Sequence, residues 1–370
     1  MNFNIKISSE VNENEWNENL SKSSTSTIYQ SYNWQKLYRE AFSSKPFFIT
    51  ITDDSGNVVG QLACLIHEKM LWGGTNPVSK KIGNLFKLNK SLWWYHGPII
   101  HSHDYEDEVL SIILSTVDKI AKKNQVVNIR GISSPFAKQF PIKLFKKYNY
   151  VSESRLTFII DLEQDLDELY NSLKKDTRYY IRKSEKEEYE FKIANNVNSM
   201  ERFQDLKSES KKREGEKPFR NLPFWKKHWQ IMKNNGFEEL VTAEYKNKIE
   251  GTILVLFFNG NMIQHALANS PEKDLVGTFL TWNTIKWAQK MKFKTFDFAG
   301  VDPLPKTKKE KGIYFYAEKF GGKKINFFSY SKILNQKKYY LTSGLQNPKR
   351  IISKYQSYKD KKIIKSNESK

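Results

Sequence analysis

The feature that most limits the possible folds is an alternation of strand-like and helix-like segments that runs through the chain twice. In each half, apolar strands joined by a turn precede an amphipathic helix and then another short apolar strand. Such alternation favours layered α/β or mixed α+β folds. The 370 residues are too many for one ordinary domain and enough for two. We therefore predict two mixed α/β units, residues 1–152 and 153–332, followed by a basic tail over 333–370.

Hydrophobic periodicity places the individual elements. Trp34, Leu37 and Tyr38 recur at helical spacing, and Asn259-Gly260 is a dipeptide typical of a tight hairpin turn. The predicted helices cover 29–42, 109–122, 166–188, 200–211, 223–234 and 278–291. The predicted strands cover 47–52, 58–67, 93–100, 126–130, 155–161, 239–245, 251–258, 262–268, 295–298 and 325–331.

Several classes of protein are disfavoured by what the sequence lacks. No stretch approaches the roughly 18 apolar residues that cross a bilayer, and the first ten residues do not resemble a secretory signal. The single cysteine, Cys64, lies in the apolar run QLACLI, so we expect a buried thiol. No spacing of cysteine and histidine indicates a metal site. We therefore expect a cytoplasmic protein, possibly at the inner face of the membrane, without a metal.

The charge of the chain is strongly positive. Lysine and arginine total 61 against 41 acidic residues, a formal net charge of +20. Such an excess favours encounters with nucleic acids, phosphorylated substrates and anionic lipid surfaces. Lysine, asparagine and isoleucine are abundant throughout, so a compositional bias of the genome explains the charge equally well. Charge alone leaves both explanations open.

A set of short phrases in a fixed order resembles the Fem family of peptidoglycan-bridge aminoacyltransferases. Each phrase is weak alone, but together they span residues 28–330, and their order and spacing make the combination fairly specific. The phrases are QSYNW at 30–34, YHGPII at 95–100, TFIIDL at 157–162, TRYYIRKSEK at 177–186, SKKREG at 210–215, FDFAG at 296–300 and KFGG at 319–322.

This resemblance implies two GNAT-like acyltransferase domains in tandem with a substrate groove along or between them. It also implies transfer of an aminoacyl group from tRNA to an amine on a phosphorylated cell-envelope precursor. The amine attacks the ester carbonyl directly, so no protein nucleophile is needed. The site must instead position the reactants, stabilise the carbonyl oxygen and hold phosphates. Aminoacyl-tRNA or acyl-CoA would then serve as co-substrate, and no bound cofactor is expected.

Six residues are candidate substrate ligands. By resemblance, Arg213, in a predicted loop beside Gly215, lines the groove and binds the acceptor phosphate, while Tyr38 stands where some members carry a lysine. Arg178 and Arg182 are four residues apart on one predicted helix and so share a face. A solvated basic face opposed by neighbouring glutamates is the alternative for that helix. The candidates are Arg213, Tyr38, Tyr95, Arg178, Arg182 and Lys183.

Lys319 is the first candidate catalytic residue. Family members carry the phrase Phe-Lys-x-x-Phe-Gly here, and its lysine is thought to steady the carbonyl oxygen or the tRNA end. In this sequence Ala317 takes that position, and Lys319 follows two residues later. In an extended segment the two side chains would point to the same side, so Lys319 is a candidate substitute.

His265 is the second candidate, as a base for the incoming amine. Strand alternation would place His265 on one side with Ile263 and Leu267, so a histidine packed in the core is the alternative. Asp297 lies between two phenylalanines, and we expect it to orient a loop rather than to catalyse.

Two other functions remain open from the sequence. The first is a CoA-dependent N-acyltransferase, although the segment at 274–279 has one glycine and lacks the leading cation of a pyrophosphate-binding loop. The second is a relative without catalytic activity that binds RNA or the cell envelope, which Ala317 favours.

Overall fold

The computed structural model describes residues 2–68, 90–101, 104–137, 141–213, 220–273 and 275–346. Over these residues, thirteen strands form one mixed sheet with helices packed on it, which confirms the predicted mixed α/β fold. No helix in this part of the chain is long and apolar enough to cross a membrane.

The N-terminal half contains six strands and four helices among its described residues. A short 3-10 turn over Ile28–Gln30 precedes the second helix. The strands are β1 (Asn4–Ser8), β2 (Lys45–Thr52), β3 (Val58–Glu68), β4 (Lys90–Trp94), β5 (Ile99–Ile100) and β6 (Asn128–Ile132). The helices are α1 (Glu13–Ser21), α2 (Tyr32–Phe42), α3 (Glu106–Lys123) and α4 (Ile142–Lys147).

The C-terminal half continues the same sheet. A π-helical turn over Trp229–Lys233 follows its fourth helix. The strands are β7 (Val151–Asp161), β8 (Tyr189–Ile193), β9 (Glu238–Tyr245), β10 (Lys248–Phe258), β11 (Asn261–Asn269), β12 (Thr295–Asp297) and β13 (Lys323–Ile333). The helices are α5 (Leu166–Ser172), α6 (Lys175–Glu185), α7 (Ser199–Arg213), α8 (Leu222–His228), α9 (Val276–Lys290), α10 (Lys308–Glu318) and α11 (Gln336–Gln346).

The two halves repeat one topology. Strands β1 to β4 are antiparallel, and β4 then pairs in parallel with β6 through the crossover helix α3. Strands β8 to β11 are likewise antiparallel, and β11 pairs in parallel with β12 through α9. The duplication that the alternating pattern indicated is therefore present in three dimensions.

The strands that follow each repeat are exchanged at the centre of the sheet. Strand β7 pairs with β12 of the C-terminal half, and β13 pairs with β6 of the N-terminal half. The two also pair with each other, from Lys323 opposite Ile159 to Ser331 opposite Val151. Since β13 pairs with a strand of each half, the division of the chain at residue 152 stays a prediction.

One hydrophobic core joins the two halves. Tyr29, Trp34 and Leu37, from the N-terminal half, pack in the same buried cluster as Trp225 and Leu254 from the C-terminal half. The opposite face of the C-terminal sheet carries a separate core covered by α6, α9 and α10. Cys64 is a buried free thiol in β3, as expected.

Three helix predictions differ from the structure, and local hydrogen bonds explain the largest difference. The helix predicted over 166–188 is two helices, because Leu173 takes an extended conformation and Arg178 donates to the carbonyl oxygens of Asn171 and Leu173. The helix predicted over 29–42 begins only after Ser31, whose hydroxyl caps it. The one predicted over 223–234 ends as the π-turn, and β1, α1, α4, β8 and α10 were not predicted. The single strand predicted over 93–100 is instead the two strands β4 and β5.

Gly131 is required where β6 passes under Trp94. A Cβ atom at this position would lie 2.0 Å from two carbons of the Trp94 indole ring, which is itself buried. We expect Gly131→Ala to lower the free energy of unfolding by about 3 kcal/mol. Gly312→Ala is the matched control, since nothing lies within 4 Å of that position in α10, and it should stabilise by about 0.5–1 kcal/mol. Urea unfolding measures both; equal stabilities would contradict the packing argument.

Candidate active site

A wedge opens in the sheet where β11 and β12 separate. The two strands pair only from Asn261 opposite Thr295 to Ile263 opposite Asp297. Strand β11 then continues to Asn269, and within the described part of the chain β10 is the only strand that pairs with it beyond Ile263. The edge of this segment that faces away from β10 presents its backbone N–H and C=O groups to the wedge. An extended ligand can form hydrogen bonds with them there.

The N-terminus of α9 lies on one face of the sheet beside this wedge. Leu275 precedes the helix without a side-chain cap, and the first turn carries no acidic residue. The ammonium group of Lys319 donates to the Thr278 hydroxyl at 2.9 Å and lies over the rings of Tyr316 and Phe320. An ammonium, a hydroxyl and a helix N-terminus together can stabilise a developing negative charge.

Burial lowers the pKa of Lys319 to about 8. The side chain therefore stays mostly protonated at neutral pH. Lys319 was predicted to replace the family lysine on the assumption that residues 317 and 319 lie on an extended segment. That assumption is wrong. Ala317 is in α10, 2% exposed and packed inward, and Lys319 caps the C-terminal end of that helix. Positions two apart on a helix point to different sides, yet Lys319 still reaches α9.

A second group of side chains, which we call the interlobe cluster, lies on the other face of the sheet. His265 from β11 contacts the Tyr29 hydroxyl through Nδ1 at 3.2 Å, and its ring lies 5.7 Å from Trp34 and 5.6 Å from His228. Burial, with a smaller contribution from His228, lowers the pKa of His265 well below its usual value. The imidazole is therefore neutral at physiological pH. The cluster comprises Tyr29, Trp34, Tyr38, Tyr95, Arg220, His228 and His265.

A β-bulge places His265 in this cluster. Leu254 is opposite Ala266 and Val255 is opposite Gln264, which leaves His265 without a partner residue in β10. The bulge breaks the alternation of side chains along β11. Ile263 packs in the core shared by the two halves and Leu267 against the core on the other face. The prediction that His265, Ile263 and Leu267 share one side is therefore wrong.

Tyr38, Tyr95 and His265 are three predicted site residues that the structure brings together. The Tyr95 ring lies 6.0 Å from that of Tyr29, the tyrosine bonded to His265, and burial raises the pKa of Tyr95. Tyr38 packs against Trp34 at 5.2 Å. These residues come from α2, the segment after β4, and β11, so only the folded chain assembles them.

Arg220 is a site residue that the sequence reasoning missed. Its guanidinium donates to the Tyr38 hydroxyl at 3.1 Å and lies over the rings of Phe42 and Phe224, at 4.5 and 4.7 Å from their centroids. The available signal was its position directly before Asn221, a residue typical of a helix N-cap, at the start of α8. Arg213, predicted to lie in a loop, is instead the last residue of α7.

The side chain of Arg213 and all of Gly215 lie outside the described residues. The predicted role of Arg213 in binding the acceptor phosphate therefore stays a prediction.

The three basic candidates on α6 separate into two kinds. Arg178 is used within the fold, since it holds the carbonyl oxygens at the junction of α5 and α6. Arg182 and Lys183 are exposed. The helix lies along α9, to which it is tied by an ion pair between Glu185 and Lys286 at 3.0 Å. Its exposed residues therefore flank the same side of the sheet as Lys319.

Asp297 closes the narrow end of the wedge. Its Oδ1 accepts hydrogen bonds from the Thr157 hydroxyl and the Ala299 N–H, which fixes the loop after β12. Burial raises the pKa of this carboxyl to about 6. The contacts agree with the expected loop-orienting role.

Replacing Asp297 with asparagine is expected to change how stability depends on pH. The folded protein keeps this proton up to about pH 6, whereas the unfolded chain loses it near the ordinary value of 3.8. Between these values stability falls as pH rises, by about 3 kcal/mol for a shift of two pH units. Asp297→Asn should remove that fall. Urea unfolding at pH 4 and 7 in both proteins gives the difference; identical slopes would exclude a raised pKa.

The corresponding wedge of the N-terminal half is unsuited to an anionic ligand. The first turn of α3 carries Glu106, Asp107 and Glu108, which oppose negative charge at that helix end. The Trp94 side chain fills the space over Gly131, and its Nε1 donates to the Gly97 carbonyl at 2.9 Å. Of the two crossover helices, as far as they are described, only α9 has a first turn without acidic residues, which leaves its N-terminus suited to an anionic group.

Comparison with known proteins gives a family match in the C-terminal half and a fold match over most of the chain. Residues 171–308, which include β11, α9 and β12, match the family model described as an acetyltransferase (GNAT) domain. The crystal structure of FemX superposes with a TM-score of 0.70 at 14% identity, covering 91% of this chain and 99% of FemX. The chain has the Fem-type tandem GNAT fold. The family match supports acyl transfer as the class of reaction.

Other proteins share the Fem-type fold. A tandem GNAT protein from the clavulanic acid biosynthesis pathway superposes with a TM-score of 0.55 at 9% identity, covering 89% of this chain and 98% of its own. The C-terminal domain of a protein described as a lysylphosphatidylglycerol synthetase, from Agrobacterium fabrum, gives 0.51 at 10% identity, covering 88% and 93%. No curated protein sequence matches this chain with significant similarity.

Proposed function

We propose that this protein transfers an aminoacyl group from tRNA to an amine on a phosphorylated cell-envelope precursor, forming an amide. The observation that carries the proposal is the wedge between β11 and β12, with a cationic helix end on one face of the sheet and the interlobe cluster on the other. Donor and acceptor can then approach from opposite faces and meet at the point where the strands separate.

The donor side combines cations with exposed aromatic rings. Tyr179 and Tyr180 are 53% and 45% exposed on α6, beside the exposed Arg182 and Lys183. Cations that follow a backbone and rings that stack on bases are the usual means of holding single-stranded nucleic acid. An ion pair at 3.4 Å between Lys174 and Glu318 places the start of α6 beside the end of α10, where Lys319 follows. The 3′ end of a tRNA would run along α6 towards Lys319.

The acceptor side offers a fixed arginine and a neutral histidine. Arg220 is held on aromatic rings beside Tyr38, with a planar guanidinium suited to phosphate. Arg213 is the further candidate for the same phosphate. His265 can accept a proton because it is uncharged, although burial makes it a weak base.

The reaction needs no covalent enzyme intermediate. The neutral amine of the acceptor attacks the ester carbonyl of the donor, and a C–N bond forms as the carbonyl oxygen gains negative charge. Lys319 and the N-terminus of α9 stabilise that oxygen. The amine loses one proton, for which His265 is the candidate acceptor. The C–O ester bond then breaks, and that proton passes to the 3′ oxygen of the tRNA, which leaves as a hydroxyl.

A CoA-dependent N-acyltransferase is the second candidate function. The match to a GNAT acetyltransferase domain and the uncapped N-terminus of α9 favour it. The exposed basic and aromatic face of α6 favours tRNA, because a CoA pyrophosphate needs only the helix end. Ala317, at the position of the family lysine, favours a third function, in which the protein binds RNA or envelope components without catalysis.

A transfer assay with labelled acyl groups tests these functions directly. The protein is incubated with charged tRNA and, separately, with acyl-CoA, with host extract supplying the acceptor. The proposal expects amide formation from charged tRNA only, with the double variant Arg182→Gln/Lys183→Gln raising KM for tRNA. Lys146→Gln/Lys147→Gln on α4 is the matched control, since both lysines are exposed on the N-terminal half. Transfer from acyl-CoA alone selects the second function, and tRNA binding without transfer selects the third.

A further inference from the structure

The outer face of α10 and the loop before it expose an unusual set of apolar side chains. Leu304 is 75% exposed and Phe315 60%, whereas Ile313, 49% exposed, lies one turn before Ala317 on another side of α10. Ala317 on the opposite side of the helix is buried against the sheet. The apolar residues on the outer face therefore do not contribute to the core of this half.

Lysines surround these apolar side chains. Lys306, Lys308, Lys309 and Lys311 are all exposed. At helical spacing, Lys311 lies one turn before Phe315 and Lys308 one turn before Lys311, so these three share one side of α10. We call this surface the α10 face; it comprises Leu304, Lys306, Lys308, Lys311 and Phe315.

The acidic residues of α10 are engaged elsewhere. Glu310 belongs to a capping box, in which its carboxylate accepts from the N–H groups of Lys306 and Thr307 at 2.8 Å. Glu318 pairs with Lys174 at the other end of the helix. The exposed side of α10 thus combines positive charge with apolar side chains.

From this combination we infer that the α10 face docks on an anionic lipid bilayer. Lysines near a negatively charged leaflet are attracted to it, and apolar side chains between them can enter the boundary of the headgroups. An RNA surface is the other polyanion that fits the charge. Leu304, the most exposed of the apolar side chains, is aliphatic and cannot stack on bases, so the composition favours lipid.

Docking through this face would hold the active site close to the membrane. Lys319 follows the last residue of α10 directly, one turn beyond Phe315. An acceptor at the bilayer surface would then lie close to the donor site. The inference concerns membrane binding and not the transfer reaction, so it can hold or fail independently of the proposed function.

Vesicle sedimentation tests the inference with the full chain and no acyl donor. We expect binding to vesicles that contain phosphatidylglycerol and little binding to phosphatidylcholine alone. The triple variant Lys306→Gln/Lys308→Gln/Lys311→Gln should bind about 100-fold more weakly. Its control, Lys143→Gln/Lys146→Gln/Lys147→Gln on α4, removes the same charge elsewhere and should change binding less than about threefold.

The apolar contribution has its own variant. Leu304→Ser/Phe315→Ser should weaken binding most at high salt, where the attraction of the lysines is screened. The inference is overturned if the protein ignores anionic vesicles, if both triple variants lose binding equally, or if the α10 variants bind vesicles normally but lose tRNA. Circular dichroism confirms that each variant is folded.

Discussion

Replacing Lys319 with methionine is expected to lower kcat for acyl transfer by about 100- to 1000-fold, the usual cost of removing one donor to a developing oxyanion. Methionine keeps most of the length and apolar contacts of the lysine stem over Tyr316 and Phe320. What it removes is the ammonium group beside the N-terminus of α9. The KM for the acceptor should change little, because the proposed function places the acceptor on the other face of the sheet.

The pH dependence of the same reaction gives a second measurement. With the pKa of Lys319 at about 8, the protonated form that donates the hydrogen bond is lost as pH rises through that value. The rate limited by this group should therefore fall above pH 8 in the unmodified protein and show no such fall in Lys319→Met.

Lys324→Met is the matched control for Lys319→Met, since Lys324 is exposed on β13 and lies over the Tyr314 ring. This variant should retain its activity. Full activity in Lys319→Met, or a pH profile unchanged by it, would remove Lys319 from the donor site.

Features set by nearby residues were predictable from the sequence. The turn at Asn259-Gly260 is an example: both residues have positive φ, of 51° and 79°, as the dipeptide indicates. The strands on either side of it, β10 and β11, and the crossover helix α9 follow their hydrophobic patterns to within a few residues. The duplicated order of elements follows from these local signals.

Features set by distant residues were not predictable in this way. The bulge at His265 depends on how β11 aligns with β10, and one extra residue reverses every side chain beyond it. The exchange of β7 and β13 depends on pairing between segments far apart in sequence. Arg220 gains its position from aromatic residues on α2 and α8, which only the folded chain brings together.

The largest loss of stability from a single substitution is expected at the buried pair of His228 and Glu238. Both side chains are fully buried, and Nδ1 of His228 is hydrogen-bonded to Oε2 of Glu238. Replacing Glu238 with leucine would leave the imidazole buried without this partner. We expect Glu238→Leu and His228→Leu each to lower the free energy of unfolding by about 3–5 kcal/mol, as when one member of a buried pair is removed.

The double variant His228→Leu/Glu238→Leu separates the cost of an orphaned polar group from loss of the pair itself. Two apolar side chains of similar volume leave no buried group unpaired, and such replacements are often neutral. The double variant should therefore be more stable than either single variant, with a coupling free energy of about 2 kcal/mol or more. Urea unfolding of the four proteins completes the cycle. Additive losses would show that each side chain contributes through packing alone, because leaving its partner unpaired would then carry no cost.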